Sequence, residues 1–163
     1  MSVEEHDWMR YHYSDHLHSK EAIDMRDIII ENLKKIEESK NVRILMAVES
    51  GSRAWGFASP DSDYDVRFIY ARPVEEYLRL DEKRDVIELP INDMLDINGW
   101  DINKTLRLLY RSNPTLCEWA SSPIIYMDSG FVEVIRPLLP KYFHSKKGSI
   151  ITSAWPSPTI GSI

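Results

Sequence analysis

Residues 51–67 read Gly-Ser-Arg-Ala-Trp-Gly-Phe-Ala-Ser-Pro-Asp-Ser-Asp-Tyr-Asp-Val-Arg and follow closely on an apolar run, Ile44 to Val48. This layout predicts a strand, a tight turn, a brief helix or turn over Ser52 to Phe57, a polar loop, and a second strand. Asp63 and Asp65 are two apart, so in a strand they share one face. Two close carboxylates repel each other unless a cation sits between them. Magnesium suits them, because it takes oxygen ligands and completes its shell with water and phosphate oxygens. Gly51 lets the backbone approach a phosphate closely. Ser52 adds a hydroxyl, and a helix start adds N–H donors and a positive dipole end. Arg53 and Arg67 are candidate phosphate contacts, because a guanidinium grips phosphate through two donors. Metal-dependent transfer of a nucleotidyl group needs this set of parts.

Two such ions would activate an acceptor hydroxyl and stabilise a leaving pyrophosphate, and a third carboxylate helps to hold them. Asp96 lies in Met94-Leu95-Asp96-Ile97, flanked by apolar residues as in a strand. Asp101 follows Gly99-Trp100, at the position of a helix N-cap. Asp96 is favoured as the ligand and Asp101 as the cap. Asp61, Ser62 and Asp63 also suit an ordinary turn. Asp65, between Tyr64 and Val66, is harder to read that way, because strands disfavour carboxylates.

Charge limits the partners. The 163 residues carry a formal net charge of -6, so the fold as a whole does not attract nucleic acid. A polyanionic substrate has to be met by a local basic patch or by metal ions. The single cysteine, Cys117, excludes an intrachain disulfide and reads as a small buried side chain. Met1 to Glu5 lacks the basic start of a signal peptide, and no apolar run is long enough to span a bilayer. The expected setting is cytoplasmic.

A polar leader over 1–20 contains His12 and His16, four apart, but nothing around them supports a metal site. The core is expected over 21–145, and 146–163 is an irregular tail. Ile23, Ile30, Leu33 and Ile36 predict a helix over 21–40. Strands are expected at Val42–Val48, Tyr64–Tyr70, Asp85–Leu89, Met94–Ile97 and Ile124–Tyr126. Helices are expected at Val74–Leu78, at Ile102–Tyr110 with Ile102, Leu106 and Leu109 on one face, from Asn113-Pro114 through Trp119, and over Phe131–Leu139, interrupted by Pro137.

The spacing of Gly-Ser and Asp-Xaa-Asp after an apolar strand resembles the DNA polymerase β-like nucleotidyltransferase superfamily. The stretch 51–67, then Leu95-Asp96-Ile97-Asn98-Gly99-Trp100-Asp101-Ile102-Asn103-Lys104, then Ser112-Asn113-Pro114-Thr115-Leu116-Cys117-Glu118-Trp119, is similar to the predicted nucleotidyltransferase family called YcgL. That family is also known as the RNA-ligase-associated polymerase β-like family. The resemblance covers about residues 20–145. It implies an α+β fold, with a small mixed sheet flanked by helices, two Mg2+ ions, an NTP substrate and an RNA end as acceptor. By motif position Gly51 and Ser52 would hold phosphates, while Asp63, Asp65 and Asp96 would bind metal and carry catalysis. Lys104, Asn113 and Glu118 match family positions, and Lys104 is a candidate phosphate contact. Trp55, Trp100 and Trp119 are expected in the core.

The family continues into a further helical part where this chain ends in 150–163. One back-translation of that tail, shifted by a base, reads His-His-Phe-Ser-Met-Ala-Lys-Pro-Asn-Tyr-Arg-Glu-Tyr, close to the family's next motif. The expectation is a frameshifted, truncated member. Two further readings follow: a non-catalytic nucleotide- or partner-binding module of the same fold, and an inactive truncated member.

Overall fold

The computed structural model describes residues 25–59, 62–81, 83–90 and 94–142. The leader, with its histidines, and the tail after Tyr142 lie outside the described residues.

Helix α1 covers residues 25–40. Its inward side is Ile29, Leu33 and Ile36, spaced four and three apart and 0–2% exposed. Ile29 rather than Ile30 heads that stripe. Asn41, at φ 50, ends the helix in the left-handed conformation that asparagine tolerates.

The chain then lays down β1 (Arg43–Ser50) and β2 (Tyr64–Ala71). Helix α2 (Val74–Tyr77) and β3 (Val86–Glu88) lead to β4 (Leu95–Asp101). Helices α3 (Ile102–Tyr110) and α4 (Pro114–Ser121) precede β5 (Ile125–Asp128). Helix α5 (Phe131–Ile135), a 3-10 turn (Arg136–Leu138) and α6 (Leu139–Tyr142) follow. Pro137 breaks the predicted terminal helix into these three pieces, because proline cannot donate the hydrogen bond that would continue it.

The sheet order is β3-β4-β2-β1-β5. β2 and β4 run parallel, and the other neighbours are antiparallel. This is the mixed sheet of an α+β protein. One face packs on α1 through Val66, Phe68, Tyr70 and Ile97. The other packs on α3 to α6 through Met46, Val48, Ile69, Leu109, Leu116, Trp119 and Ile135. Burial on both faces explains the continuous apolar run in β1.

β4 reaches Asp101, four residues beyond the expected Met94–Ile97 strand. Gly99 carries the extension, since a Cβ there would sit 2.2 Å from the Phe68 ring. On α3 the buried residues are Thr105 and Leu109, while Leu106 is 47% exposed, contrary to its expected inward position. Thr105 turns inward because its hydroxyl donates to the Asp101 carbonyl at 3.0 Å. Cys117 is half-buried rather than buried, and burial pushes its thiol up to about 11. No helix among the described residues is long and apolar enough to cross a membrane.

Candidate active site

Parallel pairing of β2 with β4 sets Asp65 directly beside Asp96. The two-residue period puts Asp65, Arg67 and Ile69 on the same sheet face as Asp96, Asn98 and Trp100. Further along that face Trp100 stacks on Trp119 of α4, with ring centroids 3.7 Å apart. The helical layer therefore covers the Trp100 end. At the other end Asp65 and Asp96 keep 34% and 29% of their side-chain surface in solvent.

Asp63 is exposed and stands one residue before β2. It remains close enough to Asp65 to act on its charge. Asp65's carboxyl is raised from the usual value, first by burial; Arg67 opposes the shift, and the negative charges of Asp96 and Asp63 add to it. A carboxylate strained in this way by its neighbours is relieved by a cation.

Gly51 follows β1 at φ 79, a conformation that L side chains rarely adopt. A Cβ at Gly51 would lie 2.4 Å from Asp65 Oδ2, so the turn backbone presses against that carboxylate. The backbone N–H groups of Ser52, Arg53 and Ala54 donate to no acceptor among the described residues. A run of unpaired donors beside a carboxylate is a place for a phosphate with its cation.

Both arginines are engaged by the protein itself. Arg53 Nη2 donates to the Ser62 carbonyl at 2.5 Å and Nε to the Asp63 carbonyl at 3.3 Å. Its guanidinium lies 3.8 Å from the Tyr64 ring centroid. Arg53 thus ties the Asp63 loop to the Gly51 turn. Arg67 Nη2 donates to Asp65 Oδ1 at 3.1 Å and to Asp96 Oδ2 at 2.7 Å, bridging the carboxylates.

Lys104 is not brought to this site. It sits on α3, beyond the far end of β4, and its Nζ donates to Asp85 Oδ1 at 3.2 Å. Asp101 caps α3 as expected, its side chain accepting from the Asn103 N–H at 2.8 Å. Asn113 caps α4, accepting from the Leu116 N–H at 3.1 Å. Trp55 is 47% exposed rather than core, and its Nε1 donates to Glu118 Oε1 at 3.3 Å. Trp119 is 3% exposed, in the core as expected.

The sequence reading missed Glu49. It is 0% exposed, accepts the Asp65 N–H at 2.9 Å, and accepts from the Tyr126 hydroxyl at 2.5 Å. The Ser122 hydroxyl donates to its backbone carbonyl at 2.6 Å. Burial raises the Glu49 carboxyl above its ordinary value, with Tyr126 opposing the shift. The available signal was a charged residue closing the apolar run just before Gly51. Glu49 holds the backbone of the very residue whose side chain faces the turn.

Among the described residues no three His, Cys, Asp or Glu side chains are set closely enough to form a metal cage. Asp65 and Asp96 still fit a magnesium ion of the kind that protein holds through one or two carboxylates, with substrate phosphates completing the shell.

The description of RlaP, the RNA repair pathway DNA polymerase beta family, matches residues 25–149. The uncharacterized protein YcgL of Bacillus subtilis (strain 168) is 59% identical over 105 residues, which are 64% of this chain and 40% of that protein. The chain therefore aligns with less than half of that relative's length. No solved structure matches it. With a family match running from α1 past α6, across both carboxylate strands and the Gly51 turn, this chain belongs to the RNA repair pathway DNA polymerase beta family.

Proposed function

We propose that this chain is a magnesium-dependent nucleotidyltransferase that moves a nucleoside monophosphate from an NTP to an acceptor hydroxyl. The observation that carries this reading is the in-register pair Asp65 and Asp96, with Asp65 Oδ2 against the Gly51 turn. The N–H groups of residues 52–54 and the Ser52 hydroxyl bind the triphosphate. Asp63, Asp65 and Asp96 hold the metal, which supplies charge neutralisation for the phosphates. The acceptor oxygen bonds to the α-phosphorus as the bond to pyrophosphate breaks, and the hydroxyl proton passes to the Asp96 carboxylate. Rate comes from positioning and charge stabilisation. The relation to an RNA repair family makes an RNA end the first acceptor to test.

One observation favours a second reading, a nucleotide-binding module without catalysis: Arg67 already bridges the carboxylate pair and offsets one of its two charges. A single experiment separates them. The protein is incubated with Mg2+, each α-labelled NTP in turn, and RNA carrying a free 3′ hydroxyl. Label appearing on RNA, and lost in Asp65→Ala and Asp96→Ala, supports the transferase. NTP binding with label on no acceptor supports the binding module.

A further inference from the structure

Among the described residues Arg67 is the one side chain that touches both carboxylates, and an unsatisfied acceptor, Asn98 Oδ1, lies on its register partner. We infer that Arg67 is a positioning residue that competes with a divalent cation for Asp65 and Asp96, and that the Asn98 carboxamide is the second seat for its guanidinium. This rests on the metal-dependent reading above.

The competition follows from shared oxygens. Arg67 Nη2 donates to Asp65 Oδ1 and Asp96 Oδ2, while Nη1 donates to the Asp96 and Val66 carbonyls at 3.2 and 3.3 Å. A divalent cation held between the same two oxygens would stand within a few ångströms of Nη2. Like charges that close repel strongly in a half-buried site. A cation that takes both of these oxygens, Asp65 Oδ1 and Asp96 Oδ2, therefore displaces Nη2 from at least one of them. The displaced guanidinium has only 17% of its side-chain surface in solvent and needs another acceptor.

Asn98 supplies one. It is the register partner of Arg67 across the parallel strands, on the same sheet face. Its Nδ2 donates to Glu88 Oε1 at 3.2 Å. Glu88, when ionised, only accepts, so this contact sets the amide orientation. Oδ1 is left buried without a hydrogen-bond partner, alone in that condition among the described side chains. A buried acceptor without a donor carries an unmet desolvation cost, which a guanidinium moving one step along the strand would remove. The carbonyl contacts of Nη1 serve as the hinge of that move.

The test is direct binding of Mn2+ alone, followed by electron paramagnetic resonance on the full chain, with circular dichroism confirming that each variant is folded. Arg67→Gln removes the competing charge and is expected to bind Mn2+ about tenfold tighter than wild type. Asn98→Leu removes the second seat and is expected to bind several-fold more weakly. A folded Arg67→Gln that binds no tighter than wild type overturns the inference and makes Arg67 a scaffold for the carboxylates. If Arg67→Gln does not fold, Asn98→Leu decides alone, and wild-type affinity in that variant overturns it. If neither wild type nor Arg67→Gln takes up Mn2+ alone, the two are compared with an NTP present, and no uptake there overturns the metal-dependent reading as well. If both bind equally, only the competition falls.

Discussion

The two ends of the β2–β4 pair each hold an aspartate–arginine contact, and they differ in what the carboxylates have left to give. At the far end Asp101 is 4% exposed. One oxygen accepts the Asn103 N–H, and the other accepts the Tyr77 hydroxyl at 3.1 Å and pairs with Arg72 Nε at 3.5 Å. Both oxygens are occupied by the fold. At the near end Asp65 and Asp96 share one guanidinium and keep about a third of their surface in solvent, and Asp65 also faces a bare turn. A carboxylate with satisfied oxygens stabilises the protein; one with oxygens to spare can bind a ligand. The same contrast separates the cations. The far end has a cavity of about 480 Å³ lined by Arg72, Arg79, Lys83, Arg84 and Arg107. Each of these is already paired with an acidic side chain.

The sharpest way to break the comparison is to remove one carboxylate from each end. Asp65→Ala or Asp96→Ala is expected to lower nucleotidyl transfer by about 10³-fold or more while the thermal melt moves little. Asp101→Ala is expected to lower stability by about 3 kcal/mol, since it removes a helix cap and strands Arg72, with denaturant unfolding as the measure. If Asp65→Ala destabilises as much as Asp101→Ala, the two ends are not different in kind.

Gly51→Ala comes next. A Cβ at φ 79, crowding Asp65 Oδ2, is expected to cost about 1–2 kcal/mol of stability. It should also weaken NTP binding, measured by calorimetry. Unaltered NTP affinity would remove the turn from the site.

Glu49 gives a smaller, pH-dependent effect. Its folded-state carboxyl is raised above 4.5 by burial, so the folded protein holds this proton more tightly than the unfolded chain. That contribution is present in full below pH 4.5 and is lost as pH rises through the raised folded value. Glu49→Gln cannot ionise. Its melting temperature relative to wild type should therefore rise from pH 4.5 to pH 8. A flat difference over that range would mean that Glu49 folds with an ordinary carboxyl.

The smallest effect belongs to Lys104. Its ammonium pairs with Asp85 away from the carboxylates, so Lys104→Gln should change transfer less than about twofold. A large loss would bring the far end into the site.

Much of this was legible in the chain. The strand that carries Asp65, the Gly-Ser turn, the cap role of Asp101 and the helix start at Asn113-Pro114 followed from local chemistry, whereas Asp63, expected on the same strand face as Asp65, stands one residue before β2. Local signals failed where a distant partner decided the outcome. Leu106 fits an apolar stripe, yet the cap at Asp101 draws Thr105 inward instead. Trp55 looks like core, but the turn after β1 carries it outward to Glu118. Lys104 sits near Asp96 in sequence, and the extension of β4 to Asp101 carries it to the opposite end of the strand. Glu49 could be noticed in sequence but not interpreted, because its partners Asp65 and Tyr126 lie 16 and 77 residues away.

Sequence by itself determined the supply of groups: an aspartate at the start of a strand with another just before it, a third on a later strand, a glycine turn, and enough periodic apolar residues for a two-faced sheet. These rest on local geometry, which the chain carries within a few residues. Only the tertiary structure decided which groups meet. The parallel register of β2 and β4 made Asp96 the neighbour of Asp65, placed Arg67 between them, and left Asn98 Oδ1 without a donor. Register across strands some thirty residues apart is set by packing of both sheet faces, and no local pattern records it.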